Sequence, residues 1–342
     1  MTNTLALFEP ESKAFAKSPY SYYADLRKLD EPYFYEGADA YLLARYIDVD
    51  AAARNPRLVR SLEAFMEPDY VEAQQRARNW HDMPNHERFV QFSLLERDGD
   101  THFRLRVIVL RALSRRFVEQ QRGMIEAYVD LLLDQLLQHS EFDFIEDLAS
   151  QVPGHIIGHL LGVPIEDCPQ LRVWSENIVQ FFDVGRTEEH KLLAENATTE
   201  FYLYLSDLIA NRRKKPQKDL ISTLVAAQGA GEMNESELIS TCILILAAGH
   251  GSTIDVLGSG MHALVSHPEQ MQLLRQEPGH IKTAVQEMFR FESPLPFFHR
   301  YASEALILNG HHYPKGTKFG LLYGSANRDP DQFPNADRFD IT

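Results

Sequence analysis

Cysteine and positive charge are both scarce in this sequence. Its 342 residues include two cysteines, Cys168 and Cys242, which are far apart and form no C-x-x-C pattern. This excludes a disulfide framework and a cysteine-rich zinc site, and it is typical of a reducing compartment. Lysine and arginine number 34 against 49 aspartates and glutamates, which gives a net charge of −15. A chain of that charge is not expected to bind nucleic acid nonspecifically.

Signals for export or membrane insertion are also lacking. Residues 1–13 contain no basic start followed by an apolar core, so the sequence predicts no signal peptide. The longest apolar stretch near the middle, residues 242–248, is far too short to span a bilayer. We therefore expect a cytoplasmic protein without a membrane or nucleic-acid partner.

What the sequence does contain is helical periodicity. Apolar side chains recur every three or four positions in residues 118–139, 194–213 and 235–266. Strand-like segments are short and lie at residues 41–44, 305–308 and 319–322. Because there is no repeat, linker or low-complexity block, the predicted fold class is mainly α with a small β lobe, in a single domain over residues 1–342.

The clearest element is a helix that begins after Asn234. Asn234 is a good N-cap, and Glu237 stands where a capping-box carboxylate reaches back. Residues 238–246 are apolar on nearly every side, so this helix should be buried all round. The small residues at 247–253 then include two glycines, each costing roughly 1 kcal/mol relative to alanine. They allow close approach of either another helix or a flat cofactor.

These and other motifs, taken in order, resemble the cytochrome P450 family. Residues 248–253 (AGHGST) resemble the oxygen-binding groove in the central helix of that family, and Glu287 and Arg290 match its E-x-x-R helix. Residues 327–330 (NRDP) and 336–339 (ADRF) match the meander that follows. His102 and Arg106 match an H-x-x-x-R stretch. The resemblance runs from about residue 20 to residue 342 and is to the soluble bacterial members.

The E-x-x-R pair also has an interpretation from chemistry alone. Glu287 and Arg290 are three residues apart and so share one helical face, and the guanidinium of Arg338 could complete a bidentate network with the carboxylate. The alternative is an exposed ion pair on the surface. With the resemblance, we expect a buried structural triad, in which loss of one partner costs roughly 3–5 kcal/mol.

A haem b cofactor is implied by the resemblance. His102 and Arg106 lie one helical turn apart and suit a carboxylate between them, although each alone is more often a surface residue. The resemblance implies that both bind haem propionates, together with Arg300, and that Ala248 and Gly249 line the ring. It also implies that the substrate pocket includes the apolar residues Ala247, Leu295, Phe297 and Phe298.

The activity implied by the resemblance is that of a haem-thiolate monooxygenase. Such an enzyme would oxidise a small or medium apolar organic substrate with O2 and electrons from a ferredoxin- or flavodoxin-type donor. A basic stretch is a candidate docking surface for that donor, with ordinary salt bridging as the alternative; it comprises Arg104, Arg111, Arg115 and Arg116.

Two departures from the family pattern bear on this interpretation. The axial cysteine is expected in an F-x-x-G-x-x-x-C loop after the meander, but the sequence ends at Thr342. We therefore expect a chain truncated before that loop, with no metal ligand of its own and with weak or absent haem binding. In the groove, Gly251 stands where an acid is usual and Ser252 where threonine is usual, followed by Thr253. Protons would then come from water, the substrate or His250. The catalytic candidates are therefore His250, Gly251, Ser252 and Thr253.

Two non-enzymatic alternatives stay open from the sequence. One is a degenerate family member that acts as a binding or scaffold protein. The other is a haem carrier that uses a histidine such as His250 or His299 as its iron ligand.

Overall fold

A computed structural model describes residues 8–77, 81–182 and 187–342. The helices in those ranges are α1 (Lys13–Lys17), α2 (Tyr20–Arg27), α3 (Tyr46–Arg54), α4 (Pro68–Ala77), α5 (Pro84–Phe92), α6 (Gly99–Ala112), α7 (Arg115–Glu119), α8 (Arg122–Leu136), α9 (Gln151–Leu161), α10 (Cys168–Val179), α11 (Glu188–Lys214), α12 (Leu220–Gly229), α13 (Glu235–Ser266), α14 (Pro268–Gln276), α15 (Ile281–Phe291) and α16 (Tyr323–Ala326). Helix dominates the chain, as its periodicity predicts.

The strands are few and short. They are β1 (Tyr33–Tyr35), β2 (Ala40–Leu43), β3 (Leu58–Val59), β4 (Phe298–Ala302), β5 (Leu306–Leu308), β6 (His311–Tyr313) and β7 (Lys318–Leu321). Five of them form one sheet in the order β1-β2-β7-β4-β3, while β5 and β6 form a separate antiparallel pair. The predicted early and late strands therefore meet, because β2 pairs in parallel with β7.

The chain divides into two compact units. One combines the described part of Met1–Val71 with Asp255–Thr342, and the other is Glu72–Ile254. The first unit holds the sheet and the E-x-x-R helix α15. The second is helical, and its core is one large apolar cluster that includes Leu161, Phe201 and Leu246. Whether residues 1–342 form a single domain stays a prediction.

Helix α13 has the bounds that its sequence pattern predicts. Its start is a capping box: the Glu237 N–H donates to Asn234 Oδ1 over 2.9 Å, and the Asn234 N–H donates to Glu237 Oε2 over 2.8 Å. By length and composition α13 is apolar enough to cross a bilayer, a test that core helices of soluble proteins also pass. Leu238, Ile243 and Leu246 lie in the packed core of the second unit, which accounts for that composition.

Candidate functional site

The candidate groove is an open side of α13. At about 100° per residue, Ala248 and Ser252 point in nearly the same direction. Ala248 is exposed and Ser252 half-buried, whereas Leu246 and His250 have no exposed surface. A Cβ placed at Gly251 would meet no atom within 4 Å. The helix that is buried all round at Leu238–Ile243 thus opens on one side at Ala248–Ser252.

Two hydroxyl groups of this part of α13 are held by the helix backbone, that of Ser252 on the open side and that of Thr253 about 100° from it. Ser252 Oγ donates to the carbonyl of Ala248, and Thr253 Oγ1 donates to that of Gly249, each over 2.7 Å. Both bonds return one turn along the helix and fix each side chain. Because the proton is engaged with the carbonyl, the lone pairs of each oxygen are left to accept a further hydrogen bond.

The small residues of the groove have different surroundings. A Cβ at Gly249 would lie 3.1 Å from Ile157 Cδ1 of α9, so this glycine permits close approach of a helix. Ala247 is partly buried against the apolar core of the second unit. Gly249 therefore belongs to helix packing, while the free space lies at Gly251.

His250 does not point into the groove. On the helix it lies about 160° from both Ala248 and Ser252. Its side chain is fully buried, and its Nε2 would be 3.4 Å from a Cβ at Gly154. Neither ring nitrogen has a hydrogen-bond partner in the described part of the chain, and burial lowers the pKa of the imidazole. The expectation that His250 supplies protons to the groove is therefore wrong in its geometry, and the same burial argues against His250 as an iron ligand.

His102 and Arg106 occupy one side of α6. His102 is half-buried, and Arg106 is exposed with no carboxylate paired to it among the described residues. Two neighbouring arginines are engaged instead. Arg104 donates two hydrogen bonds to the Glu237 carboxylate, over 2.6 and 3.1 Å, and Arg111 pairs with Glu232. Arg106 is thus the cation of this helix that is available to an anion.

Most of the predicted basic docking surface is neutralised. Arg104 and Arg111 pair with acidic residues as described, and Arg115 Nε lies 2.7 Å from Glu119 Oε1. Arg116 is exposed and has no carboxylate partner in the described ranges. The salt-bridging alternative therefore holds for three of the four arginines.

Arg300 and the neighbouring pocket candidates lie on or just before β4. The guanidinium of Arg300 stands 5.2 Å from the centre of the Phe298 ring, and its Nη1 donates to the His299 carbonyl over 3.3 Å. Leu295 is half exposed. Phe297 covers Gly320 of β7, where a Cβ would clash with its ring. Phe297 therefore packs on the sheet.

A second cation lies beside β4, and the sequence motifs do not include it. Arg60 is almost fully buried, its guanidinium lies 4.0 Å from the centre of the Phe298 ring, and its Nη1 donates to the His299 carbonyl over 2.8 Å. Phe298 therefore has guanidinium groups of both Arg60 and Arg300 near its ring. No local motif marks Arg60, because its partners are about 240 residues away in the chain.

The E-x-x-R pair holds the meander through backbone carbonyls. Arg290 donates to both oxygens of Glu287, over 2.6 and 2.7 Å. It also donates to three carbonyl groups at 2.8–2.9 Å, those of Asn327, Ala336 and Arg338. Glu287 Oε1 in turn accepts from the N–H of Asp340 over 2.8 Å. Arg290 Nη1 and Nη2 and Glu287 Oε1 thus stabilise the chain over residues 327–340.

The triad prediction needs a correction at Arg338. Its side chain is 63% exposed and lies 4.0 Å from the Asp340 carboxylate. Arg338 reaches the pair through its carbonyl oxygen, which accepts from Arg290. The side-chain network is therefore a Glu287–Arg290 pair without a third side chain. Arg290 donates its further hydrogen bonds to backbone carbonyls, and Glu287 accepts one from the Asp340 N–H, so the Arg338 guanidinium is not needed.

Neither cysteine is placed to bind a metal. Cys242 is fully buried in the core, and burial raises the pKa of its thiol to about 12. Burial also raises the pKa of Cys168, whose Sγ lies 3.6 Å from the Pro164 carbonyl. The residues that the structure describes contain no cluster of three or more histidine, cysteine, aspartate or glutamate side chains suited to a metal ion.

The residues present nevertheless fit a haem in two respects. Arg106 is an unpaired, exposed cation within the described ranges, with His102 one turn away, and residues of these types are suited to a carboxylate group. The open side of α13 at Gly251 and Ala248 offers a flat, small-residue surface on which a ring can lie.

Comparison with known proteins agrees with the family resemblance of the sequence motifs. The cytochrome P450 family profile matches residues 70–342. The polyketide biosynthesis cytochrome P450 PksS of Bacillus subtilis is 33% identical over 98% of this chain and 82% of its own length. The biotin biosynthesis cytochrome P450 of the same organism is 32% identical over 97% of this chain and 81% of its own length.

A solved structure shows the same fold. P450BioI, crystallised with an acyl carrier protein ligated to hexadec-9Z-enoic acid, superimposes with a TM-score of 0.87 at 31% identity, over 96% of this chain and 82% of that one. The motifs, the fold and the comparisons agree. The chain therefore belongs to the cytochrome P450 family, whose cofactor is haem b.

Proposed function

We propose that the protein is a cytoplasmic monooxygenase that hydroxylates a small or medium apolar organic molecule. The observation that carries this proposal is the open side of α13 at Ala248–Ser252, which follows a stretch of the same helix, Leu238–Ile243, that is buried on every side. A core helix that leaves a hydroxyl group and free space on one side is suited to holding a reactive group away from bulk water.

Haem, when bound, supplies the activation of O2 and the oxidation of the substrate. The residues of this chain would hold and orient it. His102 and Arg106 would bind a propionate by charge-assisted hydrogen bonds, and Arg300 would serve a propionate from β4. The Ser252 hydroxyl would hold a proton at Oγ, where it is fixed by the Ala248 carbonyl.

The substrate class rests on the relatives and on the lining candidates. The relatives include enzymes of polyketide and biotin biosynthesis, and P450BioI binds a long acyl chain. Ala247, Leu295 and Phe298 would offer an apolar surface to such a hydrocarbon. We propose that the substrate carries an extended apolar portion of this kind.

Electrons would come from a ferredoxin- or flavodoxin-type protein. Such donors are acidic, and Arg116 is exposed and has no carboxylate partner in the described chain. Local positive charge on an acidic protein would orient an acidic donor at this place.

The test is a spectroscopic and a chemical one. The protein expressed in full from its gene should bind haem stoichiometrically and give a carbon monoxide difference spectrum typical of thiolate-ligated haem when reduced. With a donor system and fatty-acyl substrates it should form a product with one added oxygen atom, detected by mass spectrometry. Haem binding with the spectrum of a histidine-ligated iron would contradict the proposal.

A further inference from the structure

Two arginines lie opposite each other at one edge of the main sheet. Strand β3 pairs with β4 in an antiparallel register that places Val59 opposite Tyr301. The next step of the same register places Arg60 opposite Arg300. Like charges directly opposite each other on neighbouring strands lower the stability of a sheet. The pairing of β3 with β4 therefore gives no reason for an arginine at both positions.

Both guanidinium groups converge on the same two groups of β4. Arg60 Nη1 donates to the His299 carbonyl over 2.8 Å, and Arg300 Nη1 donates to the same oxygen over 3.3 Å. The two guanidinium carbons lie 4.0 and 5.2 Å from the centre of the Phe298 ring. Two positive charges and an aromatic ring are thus held at one place, which we call the two-arginine site.

Arg60 is the unusual member of this site because its side chain is buried. Arginine side chains are mostly exposed in folded proteins, but Arg60 is 8% exposed. Arg57, only three residues earlier, is exposed and pairs with Glu304 over 3.1 Å. The chain therefore turns Arg60 inward and brings a second positive charge beside Phe298, a residue of the proposed apolar substrate surface.

The chemistry of the two-arginine site suits a carboxylate group. A guanidinium group is planar, always charged and able to donate two parallel hydrogen bonds to a carboxylate. Positive charge concentrated at one place, on a protein with a net charge of −15, attracts an anion. The Phe298 ring beside the two cations offers apolar contact to the hydrocarbon that carries the carboxylate.

We propose that Arg60 and Arg300 together bind a carboxylate group and that Arg60 completes this site. The inference rests on the proposed function, which supplies two sources of a carboxylate. One is the end of an acidic, otherwise apolar substrate, and the other is a propionate of the haem. In the first case the site selects organic acids over alcohols of the same chain length. In the second case Arg60 adds to the residues that hold the haem.

The first arm of the test measures the preference for an acid. The protein expressed in full from its gene is titrated at neutral pH with decanoic acid and with decanol, by calorimetry. If the substrate is the source, the wild type should bind the acid about tenfold or more tightly than the alcohol, and Arg60→Gln should lose this preference, because a charge-assisted hydrogen bond is removed. Arg57→Gln removes the same charge at an exposed position nearby and serves as the matched control.

The second arm measures how firmly haem is held. The haem-loaded protein is compared with the same protein reconstituted with haem dimethyl ester, whose propionates carry no charge. Dissociation of each is followed by transfer to apomyoglobin. If a propionate is the source, Arg60→Gln should speed the dissociation of haem about tenfold and leave that of the ester unchanged.

The two arms identify the source of the carboxylate. Loss of the acid preference assigns the site to the substrate, and faster dissociation of haem alone assigns it to a propionate. An Arg60→Gln variant that matches Arg57→Gln in both arms would overturn the proposal. Should Arg60→Gln fail to fold, Arg60→Met, which fills the buried space with an apolar chain, decides by the same two measurements.

Failure of the proposed function is a separate result. Absence of any oxygenated product from the wild-type protein would overturn that function, whereas both arms measure binding and do not depend on turnover. Normal hydroxylation by the wild type, together with unchanged binding in the Arg60 variants, would overturn the two-arginine site alone.

Discussion

At the scale of single residues, Arg290 joins helix α15 to the meander. It bonds both oxygens of Glu287 and three backbone carbonyls between residues 327 and 338. The E-x-x-R pattern predicts the pair, since both residues lie on one helical face. It does not predict the carbonyl partners, because every residue has a carbonyl and only the folded path of the chain selects which ones are reached.

The different roles of the Glu287 and Arg338 side chains yield a prediction for two variants. Glu287→Ala should lower the free energy of unfolding by roughly 3–5 kcal/mol, because it leaves the half-buried Arg290 guanidinium without its counterion. Arg338→Ala should cost less than about 0.5 kcal/mol, because the exposed side chain is lost while its carbonyl remains. Urea unfolding of both variants beside the wild type measures the two costs. Equally large losses of unfolding free energy in both variants would support the side-chain triad instead.

Arg60 shows the limit of sequence-based prediction at this scale. No local pattern marks it, because its partners Phe298 and His299 belong to a strand about 240 residues away in the chain.

At the scale of elements, the start of α13 combines a cap with an ion pair. Glu237 closes the capping box with Asn234 and also accepts two hydrogen bonds from Arg104 of α6. Burial alone would raise the pKa of Glu237, but the hydrogen bonds from Arg104 and from the Asn234 N–H outweigh it, and the pKa is lowered. One carboxylate thereby joins the first turn of α13 to α6.

The lowered pKa predicts a pH-dependent effect of Glu237→Gln. A carboxyl whose pKa is lower in the folded than in the unfolded state stabilises the fold above the unfolded value of about 4.3, and this contribution disappears as the pH falls through the folded value. The variant should therefore be about 1–2 kcal/mol less stable than wild type at pH 7, a modest figure because Arg104 is partly exposed, and the difference should be smaller at pH 3. Urea unfolding at both pH values measures this, with Glu269→Gln as a control. A loss that is the same at both pH values would contradict the charge-based explanation.

A glycine at the end of α9 gives a second prediction for an element. Gly162 has φ 85°, and a Cβ there would overlap the carboxylate of Asp219, which caps α12 and pairs with the buried Arg212. Gly162→Ala should therefore lower the free energy of unfolding by the roughly 1–2 kcal/mol that a left-handed backbone conformation costs a residue with a Cβ. It should also disturb the buried Asp219–Arg212 pair, which lowers the stability further. Gly231 has φ 76°, and a Cβ there would meet no atom within 4 Å, so Gly231→Ala isolates the backbone cost.

Thermal unfolding of these two alanine variants separates the contributions. The melting temperature should fall clearly more for Gly162→Ala than for Gly231→Ala. Similar melting temperatures would mean that Asp219 and Arg212 move aside at little cost.

The elements themselves were largely predictable. The bounds of α13 follow from its N-cap and its apolar run, and the strands β2, β5 and β7 lie within one residue of the segments that their patterns indicate. The pairing of β2 with β7, and the separation of β5 and β6 from the main sheet, are set by distant contacts. Local patterns carry little information about such contacts, because the partner strand is not a neighbour in sequence.

At the scale of the whole molecule, a net charge of −15 makes small basic areas significant for association. Of the four arginines predicted to form a docking surface, three are paired with glutamates, and Arg116 has no close carboxylate partner in the described chain. A docking site for an acidic donor would then depend on few cations.

Charge reversal at Arg116 tests that dependence. Arg116→Glu should slow reduction by an acidic donor protein several-fold at low salt, and the difference from wild type should shrink as salt screens the charges. Arg275→Glu on α14 changes the net charge by the same amount at another exposed place and serves as the control. Stopped-flow reduction measures both. Equal slowing in the two variants would show that the total charge, rather than a docking surface at α7, controls the rate.

The pairing of β2 with β7 also has a consequence for how the protein is made. Tyr41 is in register with Phe319, so the two strands are separated by about 280 residues of chain. At roughly 5–20 residues per second, a ribosome needs on the order of 15–60 s to deliver the second strand after the first. During this interval the hairpin of β1 and β2 has an unpaired edge, and such edges attract other strands. The nascent N-terminal segment is therefore expected to depend on chaperones until β7 has been synthesised.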